Sequence, residues 1–317
     1  MPETQDAILT LQAHGLTRRY GTRVAVDNID LELRRGEVLG LLGPNGAGKS
    51  TTLQMLTGNL APSGGTVRIR GIDLIDSPVA AKAHIGYLPE TPPLYRDLNV
   101  TEFIELVARL HRVPRDQRKA AVETAITRCG LADVRRQLIG ALSKGYQQRV
   151  GIAQAIVHKP DVIILDEPTV GLDPNQIREI RALIRELGNT HSVILSTHIL
   201  PEVEAICDHV RIMHQGRFVF AGGIAELRAF HGGQTLLVGL SNAPAISELR
   251  ELLAINGVTH VDAAGENLYR VRFAAGKDPA ARIAALAAER QWGLTQIAPA
   301  QASLEDVFVQ LTTQENA

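Results

Sequence analysis

The chain has 317 residues, a formal net charge of −1, 45% hydrophobic residues and 21% charged ones. That is enough for one large domain plus a small one, each with a packed core. The balanced charge gives no overall electrostatic footprint for nucleic acid or an anionic membrane. Two cysteines, Cys129 and Cys207, are too few and too far apart for a disulfide framework or a metal site, and buried reduced thiols are expected. Met1 to Ala7 is polar and acidic, without the apolar centre of a signal peptide. No stretch approaches the roughly 20 apolar residues that span a bilayer, so work at a membrane requires another protein to hold the chain there.

In chain order, Ile8 to Leu11 and Ile29 to Leu33 alternate apolar and polar residues, which predicts antiparallel strands with one wet face. Val38 to Leu42 is a continuous apolar run that ends in a glycine-rich turn, and a helix is expected after Lys49. Val67, Ile69 and Gly71 resume the alternation. Between Asn99 and Arg136 the pattern becomes helical, with Thr101 as the expected N-cap, so a helical insertion is placed at about 99–150. The runs Val162 to Leu165 and Ser192 to Leu195 read as buried parallel strands. After a composition break at Phe230 to Gly233, the order is strand (Thr235 to Leu240), helix (Ala245 to Ile255), strand (Val258 to Asp262), strand (Leu268 to Phe273), helix (Asp278 to Arg290) and strand (Leu294 to Ala298). That βαββαβ order predicts a small ferredoxin-like module, followed by a helix over Ser303 to Leu311. The expected domains are therefore 8–230 and 234–312.

Chemistry concentrates at the strand ends, where open α/β sheets place ligands. Gly43-Pro44-Asn45-Gly46-Ala47-Gly48-Lys49-Ser50, with Thr51 next in the chain, fits the G-x-x-x-x-G-K-[ST] phosphate cradle between a strand and a helix. Glycines let the backbone turn tightly and aim N–H groups at phosphate oxygens, and the helix start adds its positive dipole end. Lys49 suits the terminal phosphates and the Ser50 hydroxyl suits Mg²⁺. Kinases, GTPases and motor ATPases share this motif, so alone it says nucleotide binding only. Asp166 and Glu167 end the strand from Val162. Neighbours on a strand point to opposite sides, which would separate their roles. Asp166 suits contact with Mg²⁺, and Glu167 suits polarising an attacking water. His198 ends the next strand, where it is placed to touch a terminal phosphate.

Leu142-Ser143-Lys144-Gly145-Tyr146-Gln147-Gln148-Arg149 resembles the signature of ABC transporter ATP-binding subunits, and it falls in register with the other motifs. The resemblance implies an α/β fold: a P-loop NTPase ABC cassette with an antiparallel β subdomain and a helical insertion, then the small α+β ferredoxin-like module. It implies that Tyr20 stacks on adenine, that His198 is the switch histidine and that Asp173 belongs to the Asp loop. Ser143 and Gly145 would meet the terminal phosphate of ATP held by a second copy of the chain, in a head-to-tail homodimer. Glu90 stands where the family usually has a metal-sensing glutamine, and Lys144 and Tyr146 also depart from the commoner spelling. The short variants Gly171-Leu172-Asp173-Pro174-Asn175-Gln176 and Ser303-Leu304-Glu305-Asp306-Val307-Phe308 are similar to the export branch, which includes gliding-motility, multidrug and copper-maturation types. The resemblance thus implies an ATP hydrolase using ATP and Mg²⁺ at the cytoplasmic face of the cell membrane. It would drive a separate transmembrane permease, with no nucleic acid partner. Thr91-Pro92-Pro93-Leu94-Tyr95, directly after Glu90, is the expected permease contact. A non-transport member, such as a cluster-assembly ATPase, stands as the alternative.

Overall fold

A computed structural model describes residues 9–229, 235–242, 250–274 and 276–299. The chain divides into two compact units between Gly222 and Gly223. The first opens with β1 (Leu9–Tyr20) and β2 (Arg23–Arg34), paired antiparallel across the turn Gly21-Thr22, with Tyr20 opposite Arg23. In β2, Ile29, Leu31 and Leu33 enter the core while Asp30 and Glu32 stay exposed, as the alternation requires. Next come β3 (Val38–Leu42), α1 (Lys49–Leu56), β4 (Gly64–Ile69) and β5 (Ile72–Asp73). The strands of this first sheet lie in the order β2-β1-β4-β5.

The chain continues through α2 (Pro78–Lys82), β6 (Ile85–Leu88), α3 (Val100–Leu110), α4 (Arg115–Arg128), α5 (Lys144–Ile156), β7 (Val162–Asp166) and α6 (Pro174–Gly188). It then forms β8 (Ser192–Thr197), α7 (Leu200–Ile206), β9 (His209–His214) and β10 (Arg217–Gly223). A six-stranded sheet has the order β10-β9-β3-β8-β7-β6, with β9, β3, β8, β7 and β6 successively parallel. Parallel pairing brings the C-terminal ends of β3, β8, β7 and β6 to one edge, which is where the chemistry is built. One core joins both sheets to α1, drawing Leu11, Val67 and Ile69 from the first sheet, Leu53 and Leu56 from the helix, and Leu39, Ile164 and Ile194 from the second. Each such side chain contributes about 1.5–3 kcal/mol on burial, so α1 and the turn before it are held rigidly.

The helical insertion begins at Asn99, not at Thr101. The Asn99 side chain accepts from the Glu102 backbone N–H at 2.9 Å, and the Glu102 carboxylate accepts from the Asn99 N–H at 3.0 Å. This reciprocal box satisfies two orphan donors, while Thr101 lies inside α3 and its hydroxyl donates to the Arg135 carbonyl. Both cysteines are free and buried; burial raises both thiols, that of Cys129 to about 12.

Where the insertion meets the parallel sheet, His111 and His158 stack with ring centroids 3.7 Å apart. Burial pushes both below the usual histidine range, His158 to about 4, with the neighbouring His111 adding to the effect. Below about pH 6.5 the unfolded chain takes a proton at His158 that the folded chain refuses until about pH 4. Stability is therefore intact above that window and declines as pH falls through it, by roughly 3 kcal/mol in all. His158→Phe keeps the stack and removes the titrating nitrogens. Its unfolding free energy, measured by urea titration, is expected to fall less steeply between about pH 6.5 and 4; parallel curves would refute this origin.

The second unit contains α8 (Ile224–Ala229), β11 (Thr235–Leu240), α9 (Arg250–Leu253), β12 (Val258–Gly265), β13 (Leu268–Phe273), α10 (Ala280–Glu289) and β14 (Leu294–Pro299). Its sheet runs β12-β13-β11-β14, antiparallel at every pairing. Leu236, Val238, Val271, Ile283 and Trp292 form its core. The order from β11 to β14 is the expected βαββαβ. The composition break, the first half of the expected helix Ala245 to Ile255 and the final helix Ser303 to Leu311 lie outside the described residues. Among the described residues no helix is long and apolar enough to cross a membrane.

Candidate active site

The turn from Gly43 to Gly48 depends on glycine at two positions in particular. A Cβ on Gly43 would sit 2.4 Å from the Met213 carbonyl oxygen. Gly48 has φ +111, and a Cβ there would come within 2.6 Å of the Ala25 carbonyl oxygen. The turn delivers Lys49, only 6% exposed, to the first position of α1. Its ammonium donates to the carbonyls of Gly43 at 2.8 Å and Pro44 at 3.3 Å, and lies 3.5 Å from Glu167 Oε1.

Glu167 departs from the expected arrangement. The strand β7 ends at Asp166, and Glu167 comes next with φ +49, in the left-handed region that non-glycine residues rarely adopt. Strand alternation therefore does not set its direction. Its N–H is held by the Ser196 carbonyl at 3.2 Å and the Ser196 hydroxyl at 3.1 Å, and the Ser196 hydroxyl also donates to Asp166. A strained backbone that persists only because neighbours over-determine it is typical of working residues. Glu167 Oε2 lies 2.9 Å from Nδ1 of His198, so a carboxylate there requires the hydrogen on Nδ1 and leaves Nε2 for other partners. Asp166 itself is 3% exposed. Burial and the Asp166 charge push the nearby Tyr87 hydroxyl up to about 12, keeping it protonated.

Lys49, Glu167 and His198 border one cleft of about 510 Å³, whose wall also includes Tyr20, Asn45, Gly46, Gly48, Ser50, Thr51 and Glu90. Gly43, Pro44 and Ala47 lie in the turn but not on the cleft wall, and Asp166 is not on the wall either. Tyr20 is 47% exposed, with the Arg18 guanidinium 4.6 Å from its ring centroid. Oxygen donors from Ser50, Glu90 and Glu167 suit a hard cation such as Mg²⁺, and the cradle with Lys49 suits a polyphosphate.

Ser143, Gly145 and Asp173 do not line this cleft. Ser143 caps α5, its hydroxyl accepting from the Tyr146 N–H at 3.4 Å. Asp173 caps α6, accepting from the Asn175 and Gln176 N–H groups at 2.9 and 3.0 Å. The two helix starts touch: a Cβ on Gly145 would come 2.6 Å from the Gln176 amide carbon, so glycine gives the room. Sequence reasoning missed Arg23, Ala25 and Val170 on the cleft wall. The spacing Tyr20-Gly21-Thr22-Arg23 carried a signal for Arg23, since a two-residue turn puts it beside Tyr20. Val170 carried none.

The family model described as ABC transporter matches residues 26–170. The chain is 34% identical to the daunorubicin resistance ATP-binding protein DrrA3 of Streptomyces coeruleorubidus, over 80% of each chain. It is 32% identical to the Nod factor export ATP-binding protein I of Ralstonia nicotianae, over 96% of this chain and 94% of that one. Among solved structures, the ATP-binding subunit of an ABC transporter aligns with a TM-score of 0.64 at 30% identity, covering 77% of this chain and 99% of the other. With the cradle, the carboxylate pair and these relatives in agreement, the chain belongs to the ABC transporter family and is an ATP-binding, ATP-hydrolysing subunit of such a transporter.

Proposed function

We propose that the chain powers export through a separate transmembrane permease by closing as a head-to-tail homodimer on ATP at the cytoplasmic face of the cell membrane. The observation that carries the reading is the separation of two half-sites on one chain. Lys49, Ser50, Glu167 and His198 border the cleft, while the helix start at Ser143 and Gly145 lies outside it. A second copy brings that helix start, with its positive dipole end, to the terminal phosphate. Asp173 stands beside it and crosses the same junction.

Within one half-site, Tyr20 stacks on the adenine and the turn from Gly43 to Gly48 wraps the phosphates. Lys49 neutralises their charge, with Thr51 beside it. Ser50 and Glu90 on the cleft wall, and Asp166 from off the wall, would hold Mg²⁺ directly or through its water shell, and the ion would supply charge neutralisation on the phosphates. Glu167 draws the proton from the attacking water, and His198 orients Glu167 and contacts the terminal phosphate. Loss of that phosphate removes what both helix ends grip, and the copies part. Export as the direction is supported by relatives named for daunorubicin resistance and Nod factor export. Tyr95, 58% exposed and edge-packed on Phe103, presents the proline-rich loop after Glu90 as the permease contact. The module expected over 234–312 is an accessory domain, with the regulatory or dimer-supporting role that the family resemblance implies.

Expression of the tagged full chain in its host tests the transport reading. The chain is expected to sediment with membranes and to leave them in detergent bound to an integral membrane protein at matched copy number. Recovery solely from the membrane-free fraction would overturn it.

A further inference from the structure

Glu202, in α7, is fully buried and belongs to none of the motifs above. A carboxylate out of water is costly unless its lone pairs find donors. Here Oε1 accepts from the Thr169 hydroxyl at 2.6 Å and lies 3.4 Å from an Arg181 guanidinium nitrogen, while Oε2 accepts from the Thr197 hydroxyl at 2.9 Å. Thr169 stands two residues after Glu167, in the turn whose first hydrogen bond runs from the Val170 N–H to the Glu167 carbonyl. Thr197 directly precedes His198. Each oxygen of one side chain thus holds one of the two segments that carry the reacting groups.

We propose that Glu202 is a positioning residue for ATP hydrolysis, tying the Glu167 turn to the His198 strand end and so fixing their 2.9 Å contact. This rests on the roles given above to Glu167 and His198. The chemistry explains why a carboxylate is needed. The Thr197 oxygen already accepts from the Ile199 N–H at 3.0 Å, and its own proton goes to Glu202. An amide in that place has one accepting end and one donating end, and leaves a hydroxyl proton on one threonine without its acceptor. One tie loosens, and the distance between Glu167 and His198 is no longer set.

Steady-state ATP hydrolysis by the full-length chain, with unfolding midpoints for each variant, tests this. Glu202→Gln and Thr197→Val are expected to lower kcat by roughly 10- to 100-fold, the scale of a misplacement of about 1 Å. KM for ATP should stay within about 3-fold, because the cradle is untouched. Thr197→Ser, which keeps the hydroxyl, should retain the wild-type kcat. A carboxylate that merely satisfies the core would lower the unfolding midpoint and leave the kcat of folded protein unchanged, and that result would overturn the proposal. Equal kcat values for Thr197→Val and Thr197→Ser would overturn it as well, even if Glu202→Gln failed to fold. Full hydrolysis by Glu167→Gln would instead strike the assignment of Glu167. Hydrolysis lost in Glu167→Gln but intact in Glu202→Gln would defeat this inference alone.

Discussion

Replacing Glu167 with Gln is expected to lower turnover by about 10²- to 10⁴-fold, the usual contribution of a general base, while ATP affinity is kept or improved. The amide fills the same space and can accept from Lys49, 3.5 Å away, but it takes no proton from water. Affinity holds because the substitution removes a negative charge beside the cradle. The paired groups are only 6% and 8% exposed, so that charge is felt at short range and with little screening. Phosphate release and equilibrium nucleotide binding, measured on the same preparation, check both halves. Turnover within about 3-fold of wild type would show that the base lies elsewhere.

Lys49→Ala should weaken ATP binding by about 10²-fold, close to what losing one buried, charge-assisted partner costs. Lys49 is the cation that the fold places inside the cradle: its ammonium bonds the Gly43 and Pro44 carbonyls and α1 starts at its own backbone. Removing it also leaves the buried Glu167 without its cation and with the His198 ring as a remaining hydrogen-bond partner, so a modest loss of stability is expected alongside. Lys49→Arg should not restore binding, because the planar fork does not replace a compact ammonium in a glycine-walled turn. Calorimetric titration with ATP reads the effect, and unchanged affinity in folded Lys49→Ala would remove Lys49 from the site.

The cradle was legible because its physics is local. Glycines at Gly43 and Gly48, a lysine at the helix start and a strand before them need neighbours only in sequence. The ends of β3, β7 and β8 could be read for the same reason: apolar runs that give way to polar turns mark buried strands wherever they fall. The βαββαβ order from Thr235 to Pro299 was visible through its turn signals and its alternation of strand and helix periods. Contacts made by register were hidden. Ser196 meets Asp166 because β8 lies beside β7 in one alignment, and no spacing along the chain announces it. Glu167 was assigned to the site from its motif, but its left-handed backbone was not foreseen, since the strand stops one residue earlier. Thr101 was a plausible cap, yet Asn99 with Glu102 satisfies two donors where Thr101 would satisfy one. Glu202 was the least visible. In Leu200-Pro201-Glu202-Val203-Glu204, two carboxylates look equally solvated, and only the fold turns one inward to two threonines while the other stays exposed.

The claim on which the functional account depends is that each ATP is gripped by residues of two copies. Sedimentation of Glu167→Gln protein in saturating ATP and Mg²⁺ tests it most directly, because binding persists while release by hydrolysis is blocked. A dimer is expected, and it should return to monomer when Ser143→Arg fills the second helix start. Monomer at saturation, or a dimer indifferent to Ser143, would contradict the account.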